Sequence, residues 1–348
     1  SLPLLVNRIA SKQEFHDVPG SVYRTPEGFH VNKSRYLDLS RMEAPERDVV
    51  DNRRYFIEGG MGNVESKRGC PKGCIYCADP VGKGKKLRLR SLKSVADEIE
   101  VLLGKGVDHL HFCDSEFNIP ENHARDICLE LVERGLGDKL RWYAYASPKT
   151  FSQELATLCK RAGCTGIDFG VDSGCDAMLL RLGRDFSVEE LSRTAEICHR
   201  EDIIFMYDLL LGGPGETRES MKETIDTMKR LSPDRVGVSF GVRIFPQTKL
   251  AALVEKQGLL KGNPNIRGKV VGNNDFFAPV FYLSSDLGPN APEYLSRLIG
   301  GDERFFFVSP SETKRNYNYN DNTLLVNAIK AGYRGAFWDI LRRIGKNV

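Results

Sequence analysis

Six times in succession the chain repeats one order: a short run rich in β-branched and aromatic residues, then a stretch with apolar residues at helical spacing. The strand-like runs lie at 63–67, 109–114, 140–146, 166–172, 203–212 and 236–246. The helical ones lie at 91–106, 122–135, 152–163, 187–200, 217–231 and 248–257. In the first of these, Val95, Ile99, Leu102 and Leu103 share one face. Ser187 before Val188, Glu189 and Glu190 is a helix start, and Gly163 and Gly258 follow last turns. Such alternation means parallel strands joined by crossover helices, hence an α/β fold. Six units predict an open, partial (β/α)6 barrel of the TIM type, since closure takes eight. Residues 1–60 read as an N-terminal connector, 61–255 as the barrel, and 256–348, where the rhythm breaks, as a C-terminal α+β extension.

In folds of this kind the chemistry sits at the C-terminal ends of the strands. The first strand leads into a cysteine loop, "SKRGCPKGCIYCADP". The second ends on Asp114, Ser115 and Glu116, and the third on Tyr143, Tyr145 and Ser147. The fourth offers Asp172 and Ser173; the fifth offers Asp208 and a glycine turn at Gly212, Gly213 and Gly215; the sixth ends "VRIFPQT".

Cys70, Cys74 and Cys77 crowd into that first loop, while the other six of nine cysteines are scattered singly. An odd count without a framework suits reduced thiols and one metal site. Thiolates at CxxxCxxC spacing can each hold one iron of a cubane cluster, with Gly69 and Gly73 letting the loop wrap and Lys67, Arg68 and Lys72 favouring the thiolate. Three protein ligands leave the fourth iron open to a ligand. The competing reading is a structural zinc knot completed by a residue such as Cys113. Cys113, Cys128, Cys159, Cys164, Cys175 and Cys198 read as small buried residues, and His109 and His111 as packing groups.

These residues resemble the radical S-adenosylmethionine superfamily, whose signature is CxxxCxxC with an apolar or aromatic residue, here Tyr76, before the last cysteine. The resemblance covers about residues 55 to 255. It implies that the open iron of a 4Fe-4S cluster binds the amino and carboxylate groups of S-adenosylmethionine. The reduced cluster then splits the sulfonium, giving methionine and a 5′-deoxyadenosyl radical. An electron donor such as flavodoxin or ferredoxin is implied as partner. "GIDFGVDSGCDAMLLRLGRD" is similar to the family's fourth-strand segment, with Asp172 for the usual Glu, Ser173 matching, and Arg184 where a cation meets the cofactor's carboxylate. Ser115 and Glu116 join them as expected cofactor contacts, with Asp208 and with backbone contributions from Gly212, Gly213 and Phe245 of "FPQTKL". The catalytic residues themselves are not readable.

The second-strand "DSEF" is closer to the Asp-Asp-x-Phe form of the cobalamin-linked subgroup, and residues 1–32 are similar to the connector that follows its cobalamin-binding domain. That domain's Asp-x-His-x-x-Gly motif does not occur before residue 60, and the chain opens on Ser1. The expectation is either the catalytic portion of a longer protein or a lineage without the domain. Cobalamin-linked methyl transfer or carbon-skeleton modification of a small molecule leads, with cobalamin-free hydrogen abstraction as the alternative. A cluster-bearing electron carrier or zinc scaffold is the non-enzyme rival.

A formal charge of +3 with no basic block argues against nucleic acid, and no apolar run approaches a membrane span or a signal peptide, so a cytoplasmic protein is expected. The extension holds an aromatic strand candidate in "DERFFFV", then a polar Asn/Tyr run, then an amphipathic helix; Asp321, Asn322 and Thr323 read as the cap of that final helix, and Tyr317 and Tyr319 either as its core or as a substrate lid.

Overall fold

The computed structural model describes residues 2–258, 260–268, 280–307 and 322–345. It divides into two compact units, 1–39 and 40–348. The first holds a helix, Leu2–Ala10, and an antiparallel hairpin of Val22–Thr25 with Gly28–Val31, whose two-residue turn is Pro26-Glu27. Helix, link and hairpin fall where the turn chemistry puts them.

In the second unit a fully parallel sheet runs, in spatial order, as it does along the chain. Its strands are β1 (Gly62–Val64), β2 (His109–Phe112), β3 (Arg141–Ala146), β4 (Cys164–Asp172), β5 (Ile204–Leu211), β6 (Arg235–Phe240) and β7 (Phe305–Phe306). The crossover helices are α1 (Leu92–Gly104), α2 (Glu121–Glu133), α3 (Gln153–Arg161), α4 (Val188–Glu201), α5 (Arg218–Leu231) and α6 (Lys249–Gln257). These helices are legible because five of the six carry their own side-chain start; α2 opens after Pro120 with no side-chain cap. Ser91, Ser152 and Thr248 accept from the backbone N–H three residues on, and Ser187 with Glu190 makes a reciprocal capping box.

Two details correct the sequence reading. The first strand stops at Val64, because Lys67 and Arg68 pair instead with Leu89 and Arg88 in a small antiparallel ladder at the start of the cysteine loop. Among the described residues the sheet also has seven strands rather than six. Phe305–Phe306, from beyond the (β/α)6 rhythm, lies parallel against Val236 and Gly237. The arc remains open, with β1 and β7 as its edges.

Alternation along each strand decides the two faces. Leu110, Phe112, Trp142, Ala144, Ile167, Phe169, Tyr207, Leu209, Val236 and Val238 join the crossover helices in one large apolar core. The opposite, concave face carries His111, Tyr143, Tyr145, Asp168, Met206 and Asp208. Its lower part is closed by the C-terminal segment, where Ala336 and Trp338 pack on Tyr143 and Met206. Gly166 makes room for that segment, since a Cβ there would stand 2.8 Å from the Trp338 ring.

Among the described residues no helix is long and apolar enough to cross a membrane. Asn322 does cap helix Thr323–Lys330, accepting from Leu325 N–H at 3.0 Å. Asp321, Tyr317 and Tyr319 lie outside the described residues.

Candidate functional site

The cysteine loop is tied to the sheet before the first cysteine is reached. Asp114, one residue past Cys113 at the end of β2, accepts from the N–H groups of Ser66 and Lys67 and pairs with Lys67 Nζ at 2.8 Å, all fully buried. Gly69 then takes φ +103°, and a Cβ on it would meet the Lys86 carbonyl oxygen at 2.3 Å. Only glycine makes that turn. Cys70 N–H donates to Gly84 O, Cys77 N–H to Cys74 O, and Asp79 N–H to Cys77 Sγ at 3.4 Å.

The three thiols interact with one another electrostatically, and burial raises all of them above the ordinary thiol value, Cys77 to about 11. They do not converge as ligands of a single ion would: among the described residues no three His, Cys, Asp or Glu side chains do. Lys67, Arg68 and Lys72, expected to favour the thiolates, are paired with Asp114, Glu65 and Asp185 instead. The cation at the cysteines is Arg184, whose guanidinium donates to Cys74 Sγ at 2.9 Å and counters the effect of burial on that thiol.

Arg184 is almost fully buried. Its guanidinium donates to the Gly170 carbonyl, lies 3.4 Å from Asp172 and 3.8 Å from Glu116, and stacks over the Phe186 ring at 4.7 Å. Tyr76 completes the cluster by donating to Asp172 at 2.6 Å. Asp172 holds φ +69° at a break in the β4–β5 register; this left-handed turn ends the strand and takes the chain away from the sheet. Burial raises the Glu116 carboxyl to about 7, with Arg184 and then Lys72 opposing. Ser115 donates to Asp79, which also pairs with Lys83 at 2.9 Å. Glu116, Ser115, Gly69 and Cys70 line one narrow cleft beside the first cysteine. So of the residues expected at the cofactor, Glu116, Asp172 and Arg184 gather with Cys74, and Ser115 stands close by.

Others are placed differently. Ser173 is buried, its hydroxyl 2.8 Å from Thr224 and accepting from Cys175 N–H. The N–H groups of Gly212 and Gly213 both donate to the Glu216 carboxylate, so only their carbonyls remain, and Gly212 O already accepts from Ser284. Phe245 is partly exposed and its carbonyl accepts from Thr248 Oγ1 at 2.7 Å. Of the six scattered cysteines five are buried, but Cys113 is exposed, its sulfur beside His111.

One residue escaped the sequence reading, and it joins Tyr145, Asp208 and His111, which did not. Asp168 lies mid-strand on β4, facing the concave side with Tyr145 opposite it in register and Asp208 on β5 diagonal to it. His111 packs edge-on to Tyr145 at 5.0 Å, and burial pushes it down to about 4, so it is neutral. The available signal was the spacing Gly166, Asp168, Gly170, Asp172: small and acidic at every second position, opposite an apolar face of Ile167, Phe169 and Val171.

Residues 64–228 match the model of the Radical SAM superfamily. The tryptophan 2-C-methyltransferase of Streptomyces laurentii is 31% identical over 343 residues, covering 83% of this chain and 57% of that protein. Among solved structures, the radical S-adenosylmethionine methyltransferase TsrM from Kitasatospora setae, with tryptophan substrate and the analogue aza-SAM bound, superposes with a TM-score of 0.87. It is 27% identical, over 99% of this chain and 74% of that one. A second TsrM structure, with cobalamin and a [4Fe-4S] cluster, gives 0.85 at 25% identity over 99% and 75%. The chain spans little more than half the length of the curated relatives it matches. With an open parallel barrel, a three-cysteine loop at its strand ends and these likenesses together, the chain belongs to the radical SAM superfamily, whose enzymes use a [4Fe-4S] cluster and S-adenosylmethionine.

Proposed function

We propose that this chain is the catalytic barrel of a radical SAM enzyme that methylates a carbon of a small molecule with the help of cobalamin. Cys70, Cys74 and Cys77 would hold the cluster, and Glu116, Asp172 and Arg184 would bind S-adenosylmethionine. The observation that carries this is the buried Arg184 guanidinium, held between Cys74 and two carboxylates, its Nε 3.4 Å from Asp172 without a hydrogen bond. A fixed cation beside the thiols fits a ligand carboxylate, and the acids around it fit an ammonium group. The donor set suits the cluster equally: three thiols on one glycine-turned loop, with backbone N–H groups aimed at sulfur.

When bound, the cluster supplies the electron that cleaves the sulfonium. What the chain itself supplies is position and exclusion of water. Arg184 orients the cofactor's carboxylate, Asp114 through Lys67 fixes the loop, and the plug under Tyr143 and Met206 closes the floor. The likeness to cobalamin-bound TsrM supports the methylating reading over cobalamin-free hydrogen abstraction. A flavodoxin or ferredoxin in a reducing, cytoplasmic setting is the donor this chemistry asks for.

The test is anaerobic reconstitution. The protein is expected to take up about four irons with a charge-transfer band, to lose both in Cys70→Ala, Cys74→Ala or Cys77→Ala, and to keep both in Cys128→Ala or Cys198→Ala. Stoichiometric zinc with no iron uptake would refute the reading. Arg184→Ala is expected to keep the cluster and weaken S-adenosylmethionine binding by roughly 1.5–3 kcal/mol, as for a hydrogen bond to a charged group. Cobalamin binding near one to one by the protein as its gene encodes it separates methyl transfer from the hydrogen-abstraction alternative.

A further inference from the structure

Above the plug, the concave face holds a hollow walled by acids. Gly170 follows Asp168 on the same side of β4, just before the register break at Asp172, and a Cβ built on it would meet nothing within 4 Å. Across the strand pair, Asp208 stands opposite Gly170, and on its other side opposite Gly237. Gly237 leaves room for that carboxylate: a Cβ there would stand 1.9 Å from Asp208 Oδ1. Tyr145 borders the hollow from β3, opposite Asp168.

Asp168 is only 3% exposed, and its Oδ1 has no hydrogen-bond partner. The charges that act on it are Asp208 and Glu116, and on Asp208 it is Asp172: carboxylates in every case. The nearby Arg184 is engaged with Cys74, Asp172 and the Gly170 carbonyl, and makes no ion pair with Asp168 or Asp208 among the described residues. A buried, unpartnered acceptor beside a second carboxylate, with no protein cation supplied, is costly to keep unless something bound satisfies it.

We propose that Asp168 and Asp208 form the subsite for a protonated amine of the substrate, seated over Gly170. An ammonium group is small enough for a space one missing side chain wide, donates up to three hydrogen bonds and carries the charge that two acids lack. Tyr145 flanks it with a hydroxyl and an aromatic face, a surface that attracts cations. The substrate class is therefore an amine-bearing small molecule. This deepens the proposed function and rests on it for the substrate's being small.

The test uses reconstituted full chain with S-adenosylmethionine present and a panel of primary amines, each paired with its N-acetyl form: L-tryptophan, tryptamine, tyramine and agmatine. Binding is measured by calorimetry. At least one amine is expected to bind tenfold or more tightly than its acetylated partner. Asp168→Asn and Asp208→Asn, isosteric and so expected to fold, should each remove that preference. No preference for any amine, a preference that survives both variants, or tight Mg²⁺ binding in place of amines overturns the subsite. Iron content and reductive cofactor cleavage, read on the same sample, report on the proposed function separately. A cluster that cleaves the cofactor while amines are ignored sinks the subsite alone; a preparation that never assembles a cluster sinks the function reading, and amine selectivity still decides the subsite.

Discussion

Tyr143 and Tyr145 lie two residues apart on β3 and face the same side, yet they end in opposite worlds. Tyr143 is 2% exposed, packs edge-on to Trp338 at 6.0 Å and donates to Asp339 at 2.8 Å, and Asp339 is itself held by Arg342 and Arg343. The carboxylate there has its cations. Tyr145 is 41% exposed and borders Asp168 and Asp208, two acids without a cation. One step up the strand, the concave face turns from a closed, satisfied floor into an open, unsatisfied chamber. The difference teaches where the fold keeps its stability and where it holds sites open for something else.

The largest effect expected from breaking this contrast is at the floor. Trp338→Ala should cost about 3–5 kcal/mol in urea unfolding, the usual loss for a buried aromatic. A cost below about 1 kcal/mol would mean the segment is not part of the core. Next comes Asp208→Asn in the chamber, expected to stabilise. Burial and then Asp172 raise the Asp208 carboxyl to about 6, above its ordinary value. The native state therefore keeps a proton that the unfolded chain releases, and stability is lost as pH rises through 6. Asn carries no such loss, so the variant should be more stable by about 1–3 kcal/mol at pH 8, the gap closing toward pH 4. A constant gap across that range would show that charge is not its cause.

A smaller effect is expected from Tyr143→Phe, about 1–1.5 kcal/mol, because one hydrogen bond to Asp339 is lost while its arginines remain. The smallest belongs to its twin. Tyr145→Phe should stay within about 0.5 kcal/mol of the parent, as for a partly exposed group without a structural partner. If the two tyrosine variants cost the same, the division between floor and chamber fails.

The cluster around Arg184 lies between these extremes. The Arg184 side chain is nearly as buried as the floor and carries a like number of partners, but its Nε makes no hydrogen bond, only an ion pair with Asp172 at 3.4 Å, and a cysteine thiol is one of the groups it contacts. Its partners were readable as residue types and not as a network. The separations explain why: Arg184 and Cys74 are 110 residues apart, Lys72 and Asp185 are 113, and Tyr143 and Asp339 are 196. The expectation that Lys72 serves a thiol followed from proximity along the chain, and the fold gave Lys72 to Asp185.

What the sequence determined by itself was everything set within one turn or one strand. Apolar spacing and side-chain caps specify a helix without reference to anything distant, so the six crossover helices and their order were legible, as was the three-cysteine loop with its obligatory glycine at Gly69. What only the tertiary structure decided was which side chains meet. The aromatic run at Phe305–Phe306 reads as a strand candidate, but that it joins the barrel sheet was decided only by the free edge β6 offers it. Asp168 is not singled out in the sequence; the arc of the sheet puts Asp208 and Tyr145 around it, and the glycine beside it leaves a space. Periodicity assigns a residue to a face; the curvature of the sheet and the segments packed on it decide whether that face is filled or left open for a ligand.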